Sequence, residues 1–176
     1  MQPSLPHTSS RRRFLAGAAA LPVASIATTQ SAGSATADSE DFTYAVTRSE
    51  TDWRARLTPL EYEIMREGRT EPRHTSLYAF EERPGTYHCK GCDLPNFDAE
   101  WKVSHFDIGW VFFSQARPNA ILTGIDQNFS PMADSEPRAT IECHCRRCGS
   151  HIGHILDVRD KVLHCLNGSA LVFTPS

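Results

Sequence analysis

Four of the six cysteines stand in two Cys-x-x-Cys pairs, Cys89 with Cys92 and Cys145 with Cys148. Two thiolates from one tight turn can bind a single tetrahedral ion, and two such turns complete a four-sulfur zinc site. Such a site has no open position for water, so we expect a structural zinc whose binding energy contributes to folding. The alternative is a set of disulfides, as in many exported proteins. A disulfide within a Cys-x-x-Cys pair removes little entropy from the unfolded chain, so the spacing favours zinc.

Two further cysteines, Cys143 and Cys165, lie outside these pairs. A free cysteine most often acts as a small buried hydrophobe, and that interpretation stays open for each of them. His151 and His154 are not needed by a metal site that four sulfurs already fill, so they are free for acid–base chemistry. A thiol becomes a nucleophile near neutral pH only where a histidine or another positive influence favours its ionised form. Asn167 follows Cys165 by two residues, which places the two side chains on one face of a strand.

Upstream of the cysteines, two short segments carry the residues that begin helices. Ser49 stands three residues before Asp52, and Thr58 stands three residues before Glu61 with a proline between them. In each pair a hydroxyl and a carboxylate can bind the free amides of a first helical turn. Gly68 is a natural end for the second helix. We therefore predict two short helices that pack on a sheet. The face of the second helix that is predicted to be buried comprises Leu60, Ile64 and Met65.

The remainder of the chain, after about residue 73, has the pattern of a β domain. Short runs rich in Val, Ile, Phe and Tyr alternate with Pro, Gly and Asp turns, and the helical period is gone. The pattern predicts a mainly β, mostly antiparallel domain. The runs are GTYHCKGCDLPNF, IGWVFFSQ, ATIECHCRRC, HIGHILDV and KVLHCLNGSALVF.

The N-terminus has the pattern of an export signal. Arginines at residues 11–13 precede an apolar run that is shorter than the roughly 20 residues of a membrane-spanning helix. The order SRRRFL is similar to the twin-arginine motif, an address for the export of folded proteins, and Ala35 and Ala37 supply a cleavage pattern. We predict a signal over 1–37, a linker over 38–48 and one domain over 49–176. The expected location is periplasmic or extracellular, without stable membrane insertion after cleavage. An ordinary secretory signal and an uncleaved anchor are the alternatives.

The overall charge excludes one class of partner. The 176 residues include 18 basic and 21 acidic side chains, for a net charge of -3, and outside the N-terminus the two signs are interspersed. A nucleic-acid surface needs a clustered basic patch. We therefore expect no nucleic-acid partner.

Several separated segments together resemble one known family, the methionine-R-sulfoxide reductases of type B. The similarity extends from about residue 51 to residue 173, with the motifs in the family's order. The segments that carry it are DWRARLTPLEYEIMREGRTEP, GTYHCKGCDLPNFDAEWK, IGWVFF, CRRCGSHIGHILD and HCLNGSALVF. The resemblance implies a small two-sheet antiparallel β domain with N-terminal helices and a four-cysteine zinc site.

The resemblance also implies roles for individual residues. Cys165 matches the nucleophile that attacks the sulfoxide sulfur and becomes a sulfenic acid. His151 and His154 match the pair that protonates the sulfoxide oxygen and positions the substrate. Asn167 matches a residue that orients the site. The implied activity is thiol-dependent repair of methionine R-sulfoxide in oxidised proteins or peptides, with a thioredoxin-like or other external thiol as reductant.

On the substrate side, Trp110 matches an aromatic wall that receives the substrate methyl group, and Phe113 is assigned to the same pocket. The family commonly has Gly-Trp-Pro-Ser-Phe here, whereas this chain has Val111 and Phe112 in place of Pro and Ser. A proline-fixed turn and a hydroxyl are lost. We therefore expect a more apolar and less rigid pocket.

Two further departures lie close to the nucleophile. Leu163 replaces an arginine two residues before Cys165, and Gly168 replaces the serine after the asparagine. Losing a nearby positive charge should raise the pKa of the thiol unless the neighbouring His164 compensates.

Regeneration of the thiol has two open routes. Many relatives carry a resolving cysteine where this chain has Ile108, so Cys143 is the one spare thiol that could form a disulfide with Cys165. Otherwise an external thiol must reduce the sulfenic acid directly, and this second route is favoured.

Two other functions compete with the reductase. One is a zinc-knuckle module of weakened activity that binds apolar segments through Trp110, Val111 and Phe112. The retained Cys165 and its histidines argue against it. The other is a thiol–disulfide oxidoreductase, which needs a Cys-x-x-Cys that zinc does not occupy and an alternating βα pattern that this sequence lacks.

Overall fold

The computed structural model of the chain describes residues 42–104, 109–130 and 136–176. The predicted export signal over 1–37 and the first part of the predicted linker lie outside these residues and stay predictions, as does the domain boundary at residue 49. Ile108, at the family's resolving position, also lies outside them.

Two short helices open the domain, α1 over Glu50–Arg56 and α2 over Pro59–Glu67. Both predicted starts are confirmed, because Ser49 caps α1 and Thr58 exchanges hydrogen bonds with Glu61 in a capping box. Gly68 ends α2 in the left-handed region with φ 72°. No helix among the described residues has the length and hydropathy to cross a membrane.

One detail of α2 differs from the prediction. Ile64 and Met65 are fully buried, but Leu60 in the first turn is 44% exposed, and Tyr62 is buried instead. The packed stripe thus begins after the first turn, which a helical period alone does not locate.

Within residues 42–104, 109–130 and 136–176, eight strands form two antiparallel sheets, as predicted. The three-stranded sheet has the order β2-β1-β8, and the five-stranded sheet has the order β3-β7-β6-β5-β4. The strands are β1 Gly85–Cys89, β2 Pro95–Asp98, β3 Val111–Phe113, β4 Ile121–Phe129, β5 Arg138–Cys145, β6 His151–Asp157, β7 Val162–Leu166 and β8 Leu171–Pro175.

The core lies between the two sheets, with aromatic rings from both. Tyr87 and Phe97 of the smaller sheet contact Phe113 of the larger one, at ring-centroid distances of 5.0 and 4.8 Å. Ile64 and Met65 of α2 join the same core. Burial of these side chains is the main stabilising contribution, at about 25 cal/mol per Å² of apolar surface removed from water.

Strand β4 is absent from the sequence prediction. Its residues include Thr123, Gly124, Asp126 and Asn128, which break the apolar alternation expected of a strand. It pairs only with β5 at the edge of the larger sheet, where a half-exposed strand tolerates polar residues. The missed strand matters because it brings Asp126 and Phe129 to the candidate site.

Candidate active site and metal centre

The four paired cysteines converge on one point where the two sheets meet. Their sulfurs all lie within 4.8 Å of one another. Cys89 Sγ is 3.7 Å from Cys148 Sγ, and Cys92 Sγ is 3.4 Å from Cys145 Sγ. Four sulfurs held about 2.3 Å from one tetrahedral ion lie about 3.8 Å apart, close to these distances. The donor set therefore fits a closed four-thiolate metal site. All six cysteines are free, so the disulfide alternative is wrong.

Backbone and polar contacts fix the second cysteine pair. The Gly149 amide donates to the Cys145 carbonyl at 2.8 Å, and Gly149 has φ 68°, where a side chain would be strained. Ser150 Oγ lies 3.2 Å from Cys148 Sγ, and Arg66 of α2 donates to the Cys148 carbonyl at 3.3 Å. The turn between β5 and β6 is thus tied to the metal site and to the helix.

A β-bulge directly after this turn sets the direction of the two histidines. On β6, Gly153 pairs with Cys143 and His151 pairs with His144, so Ile152 is an extra residue without a partner. Residues three apart on a regular strand point to opposite faces, but one extra residue restores the same face. The rings of His151 and His154 accordingly lie together, with centroids 5.1 Å apart, while Ile152 is buried in the core.

A row of side chains crosses the larger sheet through the candidate nucleophile. Glu142 on β5 pairs with His154 on β6, His154 pairs with Cys165 on β7, and Cys165 pairs with Phe112 on β3. Residues directly opposite each other in an antiparallel sheet share a face. The register therefore brings the thiol, one histidine and one carboxylate to the same surface of the sheet.

Each histidine is oriented by its own carboxylate. His151 Nδ1 donates to Glu142 Oε1 at 2.5 Å, and His154 Nε2 donates to Asp126 Oδ2 at 3.0 Å. Nε2 of His151 is buried and, within the described part of the chain, has no hydrogen-bond partner. With Nδ1 holding the proton toward Glu142, this Nε2 is the nitrogen free to accept one.

Burial determines the charge of these groups. Burial and, to a smaller extent, the nearby His151 lower the pKa of His154 against the opposing bond to Asp126, and the net pKa is about 4. His154 is therefore neutral at pH 7. For Glu142, burial acts to raise the pKa, but the hydrogen bond from His151 and the electrostatic influence of the nearby histidines outweigh it, so the net pKa is lowered.

The thiol of Cys165 is also neutral at rest. Burial, together with a smaller contribution from the negative charge of Glu71, raises its pKa to about 12. The pKa is thus raised, as expected from the lost positive charge, and His164 does not compensate. His164 faces the opposite side of the sheet, with its ring 5.7 Å from that of Phe97, and burial lowers its pKa. Leu163, which replaces the arginine, is buried against Phe112 beside the site.

A small pocket opens over the thiol. Trp110 packs beside Cys165 and Leu163, and its Nε1 donates to the Glu71 carbonyl at 3.2 Å. Asn167 is buried and donates through Nδ2 to the Ile152 carbonyl at 3.2 Å. The side chains that line the pocket include Trp110, Phe129, His154, Leu156, Cys165 and Asn167.

The assignment of Phe113 to substrate binding is wrong. Its ring is fully buried in the core between Tyr87 and Phe97, on the face of the sheet away from Cys165. Adjacent strand residues alternate faces, so Phe112 is the phenylalanine that faces the thiol. Val111 is also in the core, so it offers no exposed binding surface.

The fold does not bring the side chain of Cys143 close to that of Cys165. It shares a row with Gly153 and Leu166, on the opposite face of the sheet from the nucleophile. It also lies two strands away, or roughly 10 Å at the usual strand spacing. A disulfide requires Cα atoms within about 7 Å. A resolving role for Cys143 stays a prediction, and this arrangement favours an external reductant.

Three carboxylates of the site were not identified from the sequence. Glu142 was detectable, because a lone acidic residue in the apolar run ATIECHC needs a buried partner. Asp126 lies in the missed strand β4. Glu71 lies in the segment GRTEP, and only the fold shows that it reaches the residues after Cys165.

Comparison with known proteins agrees with this fold. Residues 57–175 match the SelR domain family. The peptide methionine sulfoxide reductase MsrB of Methylibium petroleiphilum is 34% identical over 136 residues, covering 74% of this chain and 91% of the relative. The MsrB proteins of Burkholderia multivorans and Agrobacterium fabrum are 34% and 33% identical over 77% and 74% of this chain, with 93% of each relative covered.

The fold and site define a reductase on a two-sheet β scaffold whose four paired cysteines could hold a metal ion. The chain belongs to the SelR family of peptide methionine sulfoxide reductases. The activity implies oxidised protein or peptide substrates and an external reductant. The purely peptide-binding and thiol–disulfide oxidoreductase alternatives are set aside.

The raised pKa of Cys165 can be measured by alkylation. Below the pKa the thiolate fraction rises about tenfold for each pH unit. We expect the rate of iodoacetamide labelling of Cys165, followed by mass spectrometry of its peptide, to rise with that slope between about pH 7 and 9. Cys165→Ser gives the background from other thiols. A plateau in the labelling rate below pH 9 would contradict a raised pKa.

Proposed function

We propose that this protein reduces the R epimer of methionine sulfoxide in proteins or peptides, through a sulfenic acid on Cys165. The observation that carries the proposal is the register of the larger sheet, which places Cys165, His154 and Glu142 in one row beneath Trp110. The pocket has one thiol, one apolar aromatic wall and a hydrogen-bonded histidine pair, which together suit a polar S=O group on an apolar side chain.

The first step moves oxygen from substrate to enzyme. Cys165 Sγ attacks the sulfoxide sulfur and forms a transient S–S bond with it. The oxygen then passes to Cys165 Sγ, so that an S–O bond to Cys165 forms while the S–S bond and the methionine S–O bond break. The methionine sulfur gains two electrons and the cysteine sulfur loses two, giving methionine and a sulfenic acid. Trp110 holds the substrate methyl group against an apolar face, where a soft sulfur packs favourably.

The proton for the sulfoxide oxygen comes from the site itself. At neutral pH His154 is neutral and the proton resides on Cys165, because burial disfavours both charged forms. His154, directly opposite Cys165 in the sheet, takes this proton as the thiolate attacks and delivers it to the oxygen. Asp126 orients His154 and stabilises its transient positive charge, and Glu142 does the same for His151.

Regeneration uses an external thiol. Two thiols, or one dithiol of a thioredoxin-like protein, reduce the sulfenic acid to the Cys165 thiol. The reductant is oxidised to a disulfide, and the sulfenic oxygen is released as water. The separation of Cys143 from Cys165 supports this route over an internal disulfide.

We further propose that the protein is exported through its N-terminal signal and repairs oxidised methionine in exported proteins. Cell fractionation that finds the protein only in the cytoplasm would refute the proposed export.

Stereospecific turnover tests the proposed reaction. The chain is incubated with dithiothreitol and with peptides of separate R and S sulfoxide, and methionine formation is followed by chromatography. We expect turnover of R alone, and its loss in Cys165→Ser with zinc content unchanged. Equal turnover of S, or activity retained without Cys165, would refute the assignment.

We also propose that the four-cysteine site holds one structural zinc. Zinc would supply folding energy by binding Cys89, Cys92, Cys145 and Cys148, and the closed donor set leaves it no part in the chemistry. Binding on the order of 10 kcal/mol is comparable with the whole stability of a typical domain.

Removal of one ligand tests the zinc. Cys92→Ser should lose about one zinc per chain by elemental analysis and unfold at a lower temperature. Cys143→Ser is the matched control, since Cys143 lies outside the cluster, and it should retain the metal. Equal zinc content in the two variants would exclude the four-cysteine site.

A further inference from the structure

Glu71 is a buried carboxylate that holds the turn following the nucleophile. Its side chain is fully buried, with 1% exposure. Oε1 accepts from the Gly168 amide at 2.8 Å, and Oε2 accepts from the Ser169 amide at 2.9 Å and from the Ser169 hydroxyl. Three donors from two consecutive residues thus converge on one carboxylate, 97 residues away in the sequence.

The backbone of the same residue links both sides of the substrate pocket. The Glu71 amide donates to Asn167 Oδ1 at 2.9 Å, and its carbonyl accepts from Trp110 Nε1 at 3.2 Å. Asn167 in turn binds the carbonyl of Ile152, the bulged residue between the two histidines. Displacement of Glu71 would therefore move the aromatic wall and the asparagine together.

The segment after Glu71 packs closely on the turn because residue 168 is glycine. A Cβ at Gly168 would lie 2.1 Å from Ser76 Oγ. A side chain at residue 168 would therefore require Ser76 to shift. The close approach confines the turn between Glu71 and Ser76.

We propose that Glu71 is a positioning residue, which keeps the Asn167–Ser169 turn and Trp110 in the alignment that the reduction of sulfoxide requires. Its negative charge also adds to the effect of burial, which raises the pKa of Cys165 and keeps the proton on the sulfur. The inference rests on the proposed role of Cys165 as the nucleophile. A misplacement of about 1 Å at such a site can cost on the order of a hundredfold in rate.

Glu71→Gln separates positioning from mere support of the fold, since it keeps the shape and removes the charge. We expect kcat/KM for an R-sulfoxide peptide to fall at least about tenfold. In the same variant, the pH profile of Cys165 alkylation should move to lower pH, which loss of packing alone would not cause. Zinc content and the thermal transition report that the domain is folded.

The proposal requires both changes. A fall in kcat/KM with an unmoved alkylation profile would make Glu71 only structural, and a moved profile with unchanged kcat/KM would remove the positioning role. Alkylation of Cys165 is measured without turnover, so it tests the role of Glu71 separately from the proposed function. The proposed function itself would be refuted if Cys165→Ser retained activity.

If Glu71→Gln does not fold, Ser169→Ala decides, because it removes a single donor and keeps the carboxylate. A kcat/KM lower by about threefold or more supports the proposal, and the wild-type value overturns it.

Discussion

The four-sulfur cluster connects the two sheets, and the positions of the active-site residues depend on this connection. Cys89 ends β1 of the smaller sheet and Cys145 ends β5 of the larger one. A metal bound by both pairs, as proposed, would fix the sheets at one edge of a small core. The turn that contains Cys148 leads directly into the bulge on β6. The proposed metal site would therefore also determine the position from which the histidines project.

Burial of the reactive groups gives the site its resting state. Both shifts have the same first cause: removal from water raises the pKa of Cys165 and lowers that of His154, so each group is neutral. A resting thiol that is protonated is protected from indiscriminate oxidation, because the thiolate is the reactive form. Leu163 and Phe112 make the floor of the site apolar, which favours the neutral thiol. Under the proposed mechanism, activation depends on the substrate and on the carboxylate-bound histidines.

Sequence patterns predicted the features that depend on local spacing. The cysteine pairs, the helix caps at Ser49 and Thr58 and the antiparallel β character all follow from residues within a few positions of one another. Features that depend on strand register were missed. The bulge at Ile152, which puts two histidines three residues apart on one face, has no signal in the sequence.

The same limit explains the error at Phe113, because the sequence did not show which face of the strand carries this ring, and the ring packs in the core. Strand β4 was missed because its polar residues face solvent or the site rather than the core. Its Asp126 and the distant Glu71 reach the site only through tertiary structure.

A single-turnover experiment without reductant tests the central claim most directly. The zinc-loaded protein is mixed with an excess of R-sulfoxide peptide and with dimedone, which traps sulfenic acids, and the products are identified by mass spectrometry. The account predicts about one equivalent of methionine peptide per chain and a dimedone adduct on Cys165, with neither formed from the S epimer. Methionine formation without an adduct on Cys165, or an adduct on Cys143 alone, would contradict it.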